Sequence, residues 1–415
     1  MTKFYQRFRN KLAILFAIVG PGIIAANADN DAGGITTYSV VGAHFGTKML
    51  WVLLLITISL AITQEMGVRI GLVTRQGLAG LIREHFGVKL TAFAMLLMLI
   101  ANTGTVTAEF AGISSAFAII GVSKYLVVPA AAMVIWLILY KGSFKTTQRI
   151  FLVFSAFYIV YIINGFIIGP DFGQALKDTV TPHMEFTSVF FLTMIALIGT
   201  TITPWGQFFI QSYVVDKGLT IKDYSAERAE VYLGAFMTDI VSFFIIISTA
   251  ATLYANGIRI EDAKDAAMAL RPLAGNMAQL LFAFGLFSAS MLGAFILPTA
   301  TAYSICEAFG WESGFNTNWK TGKIFYGIIL TTIIVPALVV LIPGVSMIKI
   351  MIWSQDINGI LLPFILIFVM KLINNKELMG KYTNKPIGNI IAWATIIGLI
   401  VATVTLVVSS VAGIQ

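Results

Sequence analysis

Apolar runs of about twenty residues recur along this chain, split by short polar turns. Eleven can be marked off, at roughly 13–42, 49–68, 90–121, 125–140, 149–169, 189–215, 230–255, 274–307, 324–343, 347–372 and 387–412. They are continuously apolar, which predicts membrane-spanning helices. Strands of a barrel would alternate apolar and polar positions instead. The third and eighth runs exceed what a bilayer needs, so tilt or extension into the cytoplasm is expected. A charged loop holding Arg259, Glu261, Asp262, Lys264, Asp265 and Arg271 predicts a short surface helix.

Two of the runs are interrupted. The first carries Asp29, Asn30, Asp31, Ala32, Gly33 and Gly34 near its middle, and the sixth carries Gly199, Thr200, Thr201, Ile202, Thr203, Pro204, Trp205 and Gly206. Carboxylates inside a span are costly unless they face a cavity and bind something, and an acidic, helix-breaking segment suits a cation. The breaks open two blocks of five runs. An odd number of spans per block reverses the second block relative to the first, which is the inverted-repeat plan of a transporter with a central site. The whole chain, 1–415, then reads as one transmembrane domain: repeat one over about 13–170, repeat two over about 189–372, and an extra helix over about 387–412.

Composition excludes other classes. With 58% hydrophobic and 11% charged residues, the 415-residue chain cannot be a soluble domain. The single cysteine, Cys306, excludes an intrachain disulfide and a cysteine-rich zinc or iron–sulfur site. The net charge of +7 fits basic cytoplasmic loops against acidic headgroups rather than nucleic acid. With the N-terminus placed inside, cytoplasmic segments take about 20 of the 27 Lys and Arg residues, from Lys3, Arg7 and Arg9 through Lys381 and Lys385. The outside keeps Lys48, Lys124, Lys177, Arg259, Lys264, Arg271 and Lys349. The eleventh run then leaves the C-terminus outside. No small-residue cleavage site ends a short apolar core near Met1–Lys11, which argues against a cleaved signal peptide. A multi-pass protein of a prokaryotic inner membrane is expected.

Several stretches resemble the NRAMP metal-ion transporters in order and spacing. Gly20-Pro21-Gly22 followed by Asp31-Ala32-Gly33-Gly34 is similar to their first helix, which carries Gly-Pro-Gly and then Asp-Pro-Gly-Asn. Gln64, Arg69, Gly71, Val73, Thr74, Leu78 and Ala79 resemble the segment between helices 2 and 3, and Glu109 resembles the acid of the third helix. Gly199 to Ser212 falls where the family has Met-Pro-His, and Ser354-Gln355 with Leu362-Pro363 resembles the tenth helix. The resemblance spans essentially the whole chain and implies an all-α, LeuT-like 5+5 inverted repeat with an eleventh helix and with helices 1 and 6 broken.

The departures carry as much information. Ala32 replaces the family's proline, Gly34 its metal-binding asparagine, Thr203 its methionine and Trp205 its histidine, while Val106 stands where many members have an aspartate on the proton path. This set resembles a divergent branch, the NRAMP-related magnesium transporters. Thioethers favour softer transition metals, whereas Mg²⁺ takes oxygen ligands in octahedral geometry and keeps several waters. Losing the thioether and the asparagine leaves a wider, all-oxygen site. Asp31 is the expected main ligand, with the Thr203 hydroxyl and the carbonyl of Thr200 as direct or water-mediated contacts.

Each of these residues has a plainer reading. Asp31 can cap a kinked helix. Asp29 can face the ion vestibule or cap the outer half-helix, and Asn27 and Asn30 are similar candidates. Thr203-Pro204 can be a simple proline kink. Trp205 reads as a pore wall or gate, since indole only donates, and Gly206 as backbone room. Glu109 either holds charge near the ion path or pairs with a neighbour such as Asn102. Gln355, Asp356 and Asn358 are expected to break the tenth span, with Gly359 as the bend, and to serve as a second layer around a hydrated ion or as interhelical hydrogen bonds. Asp239 is expected at the membrane interface, and Glu65 and Glu307 in solvent.

The expected activity is alternating-access transport of divalent ions, chiefly Mg²⁺ and also Mn²⁺. No cofactor is expected, and the partners are these ions and the lipid bilayer. Nothing in the sequence fixes an oligomeric state, and a monomer is compatible. His44, His85 and His183 lie in loops or at span ends, so no intramembrane histidine relay is expected. Transport without proton coupling follows, driven by the ion gradient and the membrane potential. The runner-up is a proton-coupled Mn²⁺/Fe²⁺ importer. An amino-acid symporter of the same architecture ranks lower, because two acids at the first break would repel a substrate carboxylate. An enzyme is not expected: no Ser/His pair sits at membrane depth and no His-Glu-x-x-His motif occurs.

Overall fold

The computed structural model describes residues 30–141, 157, 159–314 and 319–411, and every regular element among them is a helix. The long helices are α1 (Ala32–Phe45), α2 (Leu50–Thr74), α3 (Leu78–Ile119), α4 (Lys124–Lys141), α5 (Ile159–Ile168), α6 (Phe172–Val180), α7 (Ser188–Thr201), α8 (Pro204–Asp216), α9 (Tyr224–Thr252), α10 (Ala278–Phe309), α11 (Lys323–Leu341), α12 (Met347–Ile373) and α13 (Pro386–Val411). In lipid, a helix satisfies its own backbone, so continuous apolar runs resolve into this one element type. Among the described residues nine spans are long and apolar enough to cross a membrane, with α7 and α8 forming one. The first and fifth expected runs are only partly described. Asn27, Asp29 and the Gly20-Pro21-Gly22 turn lie outside the described residues.

Burial grades the helices from centre to rim. The α7–α8 span is the most enclosed, at 89% buried, while α13 is 22% buried and faces outward. Around this centre, α1 packs on α9, α2 packs on α8 and α9, and α3 packs on α10, α11 and α12. Helix α12 also lies along α7. There the two backbones nearly touch: a Cβ on Gly199 would overlap the Gln355 carbonyl and the Gly359 nitrogen, and a Cβ on Gly359 would sit 2.6 Å from the Ile195 carbonyl. Small residues at such crossings let helices gain packing where lipid supplies no hydrophobic drive.

The structure corrects several expectations. Ahead of the third span, expected from about 90, the structure adds a helical segment from Leu78; the two meet at a kink at Gly87, whose non-helical φ of 78° and ψ of 171° suit glycine, and the span runs on to Ile119. The tenth span is not broken: α12 runs unbroken from Met347 to Ile373, with Asn358 reaching Thr105 on α3 and Gln355 bonding to Ser354 and Asn358 along its own helix. A further helix, α6, follows α5 at a turn of 118°. The charged loop does form a short helix, Ala263–Ala267, started by a reciprocal Asp262–Asp265 capping box, with its alanines buried.

Of three acids expected at interfaces or in solvent, Glu65 and Asp239 are buried and Glu307 is half-buried. Glu65 is 5% exposed because Arg69 pairs with it at 3.0 Å and the Tyr224 hydroxyl donates to it at 2.5 Å. Arg69 also donates to Asn384 Oδ1 at 2.8 Å and to the Tyr382 and Thr383 carbonyls, tying α2 to the segment before α13. Such bonds offset the cost of burying both charges. Glu307 accepts from the Ser212 hydroxyl and from the Gly77 and Gly80 backbone N–H groups, at the start of α3 where no capping side chain is present. Asp239 is 4% exposed, between α9 and α2 beside Thr57. A linear sequence places a residue along its helix but not around it.

Candidate functional site

Asp31 occupies the N-cap of α1 in extended backbone (φ −73°, ψ −172°), and its Oδ1 accepts the Gly34 N–H at 2.7 Å. The cap satisfies one orphan donor at the start of α1. It uses one of about four lone-pair sites on the carboxylate. The side chain is 4% exposed. Asn30 is committed elsewhere: its amide donates to Thr238 Oγ1 at 2.6 Å and accepts from Ser242 Oγ at 3.4 Å, pinning the break to α9.

Glu109 of α3 closes the other side of Asp31. Its Oε2 accepts the Ala32 N–H at 3.4 Å, which sets its carboxyl beside that of Asp31. Two carboxylates that close repel one another, which favours a proton on one of them. Glu109 is fully buried and wedged against α10, where a Cβ on Gly293 would sit 2.5 Å from its Cδ. The alternative partner, Asn102, turns away and donates to Thr301 Oγ1 at 2.7 Å.

The second break repeats the device of the first. Thr203 is the N-cap of α8, and its Oγ1 accepts the Gly206 N–H at 3.3 Å. Helix α7 ends two residues earlier at Thr201. Pro204 has no N–H, so the Thr200 carbonyl, four residues before it, has no helical donor. The Thr200 hydroxyl is buried with no partner in the protein. Trp205 is 2% exposed and packs its ring 5.6 Å from that of Phe209.

Two contacts join the breaks. The Tyr38 hydroxyl of α1 lies 2.9 Å from Thr201 Oγ1 at the end of α7. Gln355 of α12 touches both: its amide fills the space over Gly33, where a Cβ would overlap it, and its carbonyl lies over Gly199. Asn358 orients that amide, donating to Gln355 Oε1 at 2.9 Å and to Thr105 Oγ1 at 3.0 Å. Gln355 thus borders the site and Asn358 supports it from behind. The structure does not bring Asp356 into this group, although it is buried on the same helix.

Among the described residues no three His, Cys, Asp or Glu side chains converge. A cation held here would draw on the Asp31 carboxylate, the Thr203 hydroxyl, the Thr200 carbonyl and water. That set is all oxygen, which suits hard ions. The Asp31–Glu109 contact and the double role of Gln355 were not legible in sequence. Two acids in different spans hinted at the first, and nothing hinted at the second.

Comparison with known proteins places this geometry among relatives. A family model described as natural resistance-associated macrophage protein-like (Nramp) matches residues 22–409. The divalent metal cation transporter MntH of Klebsiella pneumoniae is 24% identical over 411 residues, covering 97% of this chain and 96% of that protein. Among solved structures, a manganese transporter of Eremococcus coleocola in complex with an aromatic bis-isothiourea substituted compound aligns with a TM-score of 0.74 at 18% identity, covering 95% of this chain and 86% of the other. MhsT in complex with L-phenylalanine aligns with a TM-score of 0.59 at 14% identity, covering 94% and 97%. At these identities the structural likenesses show the fold, which is LeuT-like.

Proposed function

We propose, from the premise that this chain belongs to the Nramp family, that it carries divalent metal ions across the cytoplasmic membrane, chiefly Mg²⁺ and also Mn²⁺, by alternating access. Family membership makes it a transporter and not an enzyme. The names of the Klebsiella and Eremococcus relatives support the divalent class. The observation that carries the reading is a buried carboxylate, Asp31, at one helix break, with the other break offering oxygen alone through Thr203 and Thr200. No thioether faces the ion from position 203, so the preference for softer metals is absent and a partly hydrated Mg²⁺ is accepted.

In this mechanism the ion meets Asp31 while Glu109 keeps the proton of the pair and donates it to Asp31 as a hydrogen bond. One negative charge then faces the ion, and no proton travels. A divalent ion gains roughly 4.6 kcal/mol per 100 mV of inside-negative potential, enough for uptake without coupling. The moving body comprises α1, α2, α7, α8 and α9, and the scaffold α3, α4, α10 and α11. Packing supports this division, since α9 packs on α1 and α2, α2 packs on α8, and α3 packs on α10 and α11. The repeats divide near 13–170 and 189–372, with the N-terminus inside and the C-terminus outside.

One observation favours a second reading, a proton-coupled Mn²⁺/Fe²⁺ importer: the buried Glu109 carboxyl lies beside that of Asp31, where a proton on the pair is one that an arriving cation can displace. Proteoliposomes loaded with a Mg²⁺ dye and a pH dye separate the two. Mg²⁺ entry without acidification is expected. Mn²⁺ entry alone, with acidification, would establish the importer. Selectivity supplies a second prediction. Thr203→Met places a thioether at the break and should shift the Mn²⁺/Mg²⁺ uptake ratio toward Mn²⁺ by about tenfold. An unchanged ratio would show that position 203 does not face the ion.

A further inference from the structure

Helix α8 continues from Thr203 towards the basic Lys217 and Lys222, the cytoplasmic side on the proposed orientation. Gln207 follows Thr203 by one turn on the same face. Its side chain is 1% exposed, yet neither its Oε1 nor its Nε2 has a partner in the protein. On α2, Gln64 is 1% exposed and its Oε1 has no partner.

The packing of α2 on α8 brings these groups to one level. A Cβ on Gly67 would lie 2.7 Å from Ile210 Cγ2, and a Cβ on Gly71 would lie 2.6 Å from Val214 Cγ2. Both helices advance four residues between these contacts, so they run parallel in constant register. One turn earlier, the same register sets Gln64 level with Gln207. Three buried polar atoms, two acceptors and one donor, are therefore brought to one level where α2 meets α8 beyond the second break. Buried polar groups are almost always hydrogen-bonded in native proteins.

We infer that Gln64 and Gln207 form a second polar station on the cytoplasmic side of Asp31, which holds the divalent cation by its water shell. This deepens the transport reading above and rests on it. The station is uncharged, so it offers no anionic ligand to strip the ion. Its two amide oxygens accept hydrogen bonds from water on the cation, whose O–H groups are polarised by the ion's charge. The Gln207 N–H₂ holds outer water. An ion that dehydrates reluctantly, such as Mg²⁺, depends on such contacts more than one that exchanges water readily.

The test uses the full chain in proteoliposomes, with Mg²⁺ and Mn²⁺ influx measured in parallel for wild type, Gln207→Leu and Gln64→Leu. Calorimetry of Mn²⁺ binding to the purified proteins reports whether the Asp31 site stays intact. Mg²⁺ influx is expected to fall about tenfold in either variant, as for loss of a charge-assisted hydrogen bond. Mn²⁺ influx should fall less than about threefold and Mn²⁺ affinity should hold. Equal loss of both ions, or loss of neither, overturns the station and leaves the transport reading standing. If wild type moves neither ion, the transport reading falls and the station with it. If Gln207→Leu does not purify as a folded protein, Gln64→Leu decides by the same criteria.

Discussion

Replacing Asp31 by alanine should lower divalent uptake by on the order of a hundredfold or more, because even supporting residues of metal sites are worth 10–100-fold. The variant confounds two roles, since the same carboxylate caps α1 through the Gly34 N–H. Loss of the cap alone costs about 1 kcal/mol. Asp31→Asn separates them. Asparagine caps as well as aspartate but carries no charge, so Asp31→Asn should keep the melting temperature of wild type and still lose at least about tenfold in uptake. Proteoliposome influx and thermal melting of the detergent-purified protein read the two effects. Uptake by Asp31→Asn equal to wild type would remove Asp31 from the ion path and leave it a cap.

The second large effect is structural. Gly199→Ala should destabilise the protein by about 3 kcal/mol and abolish uptake, since overpacking a fixed contact costs 1–3 kcal/mol. The added methyl group would overlap the Gln355 carbonyl and the Gly359 nitrogen and sit 2.8 Å from the Gly359 Cα. Backbone atoms of α12 cannot step aside as a side chain can. Gly206→Ala is the control, because its Cβ meets only Thr203 Oγ1, at 3.0 Å. That variant should melt within about 1 kcal/mol of wild type. Similar melting for both would mean that α7 and α12 do not cross as closely as the structure places them. Because Gln355 also lies over Gly33, forcing α12 away from α7 disturbs both breaks at once.

The sequence by itself determined the helical class, the positions of the described breaks and the oxygen-rich character of the second. Hydrophobic runs report burial in lipid, and glycine, proline and buried aspartate report interruptions, through terms local to a few residues. Hence the helix starts at Asp31 and Thr203 were legible. Tertiary structure decided which polar groups meet. It placed Glu109 of α3 on Asp31 of α1, set Gln355 over both breaks, and turned Glu65, Asp239 and Glu307 inward. It also left α12 unbroken where three polar residues suggested a kink, because Asn358 and Gln355 find hydrogen-bond partners across and along the helices. The reason is geometric. A span's apolar character fixes its depth in the membrane, but its rotation and its neighbours depend on close packing between helices far apart in the chain. Here the α7–α12 crossing at Gly199 and Gly359 settles those neighbours.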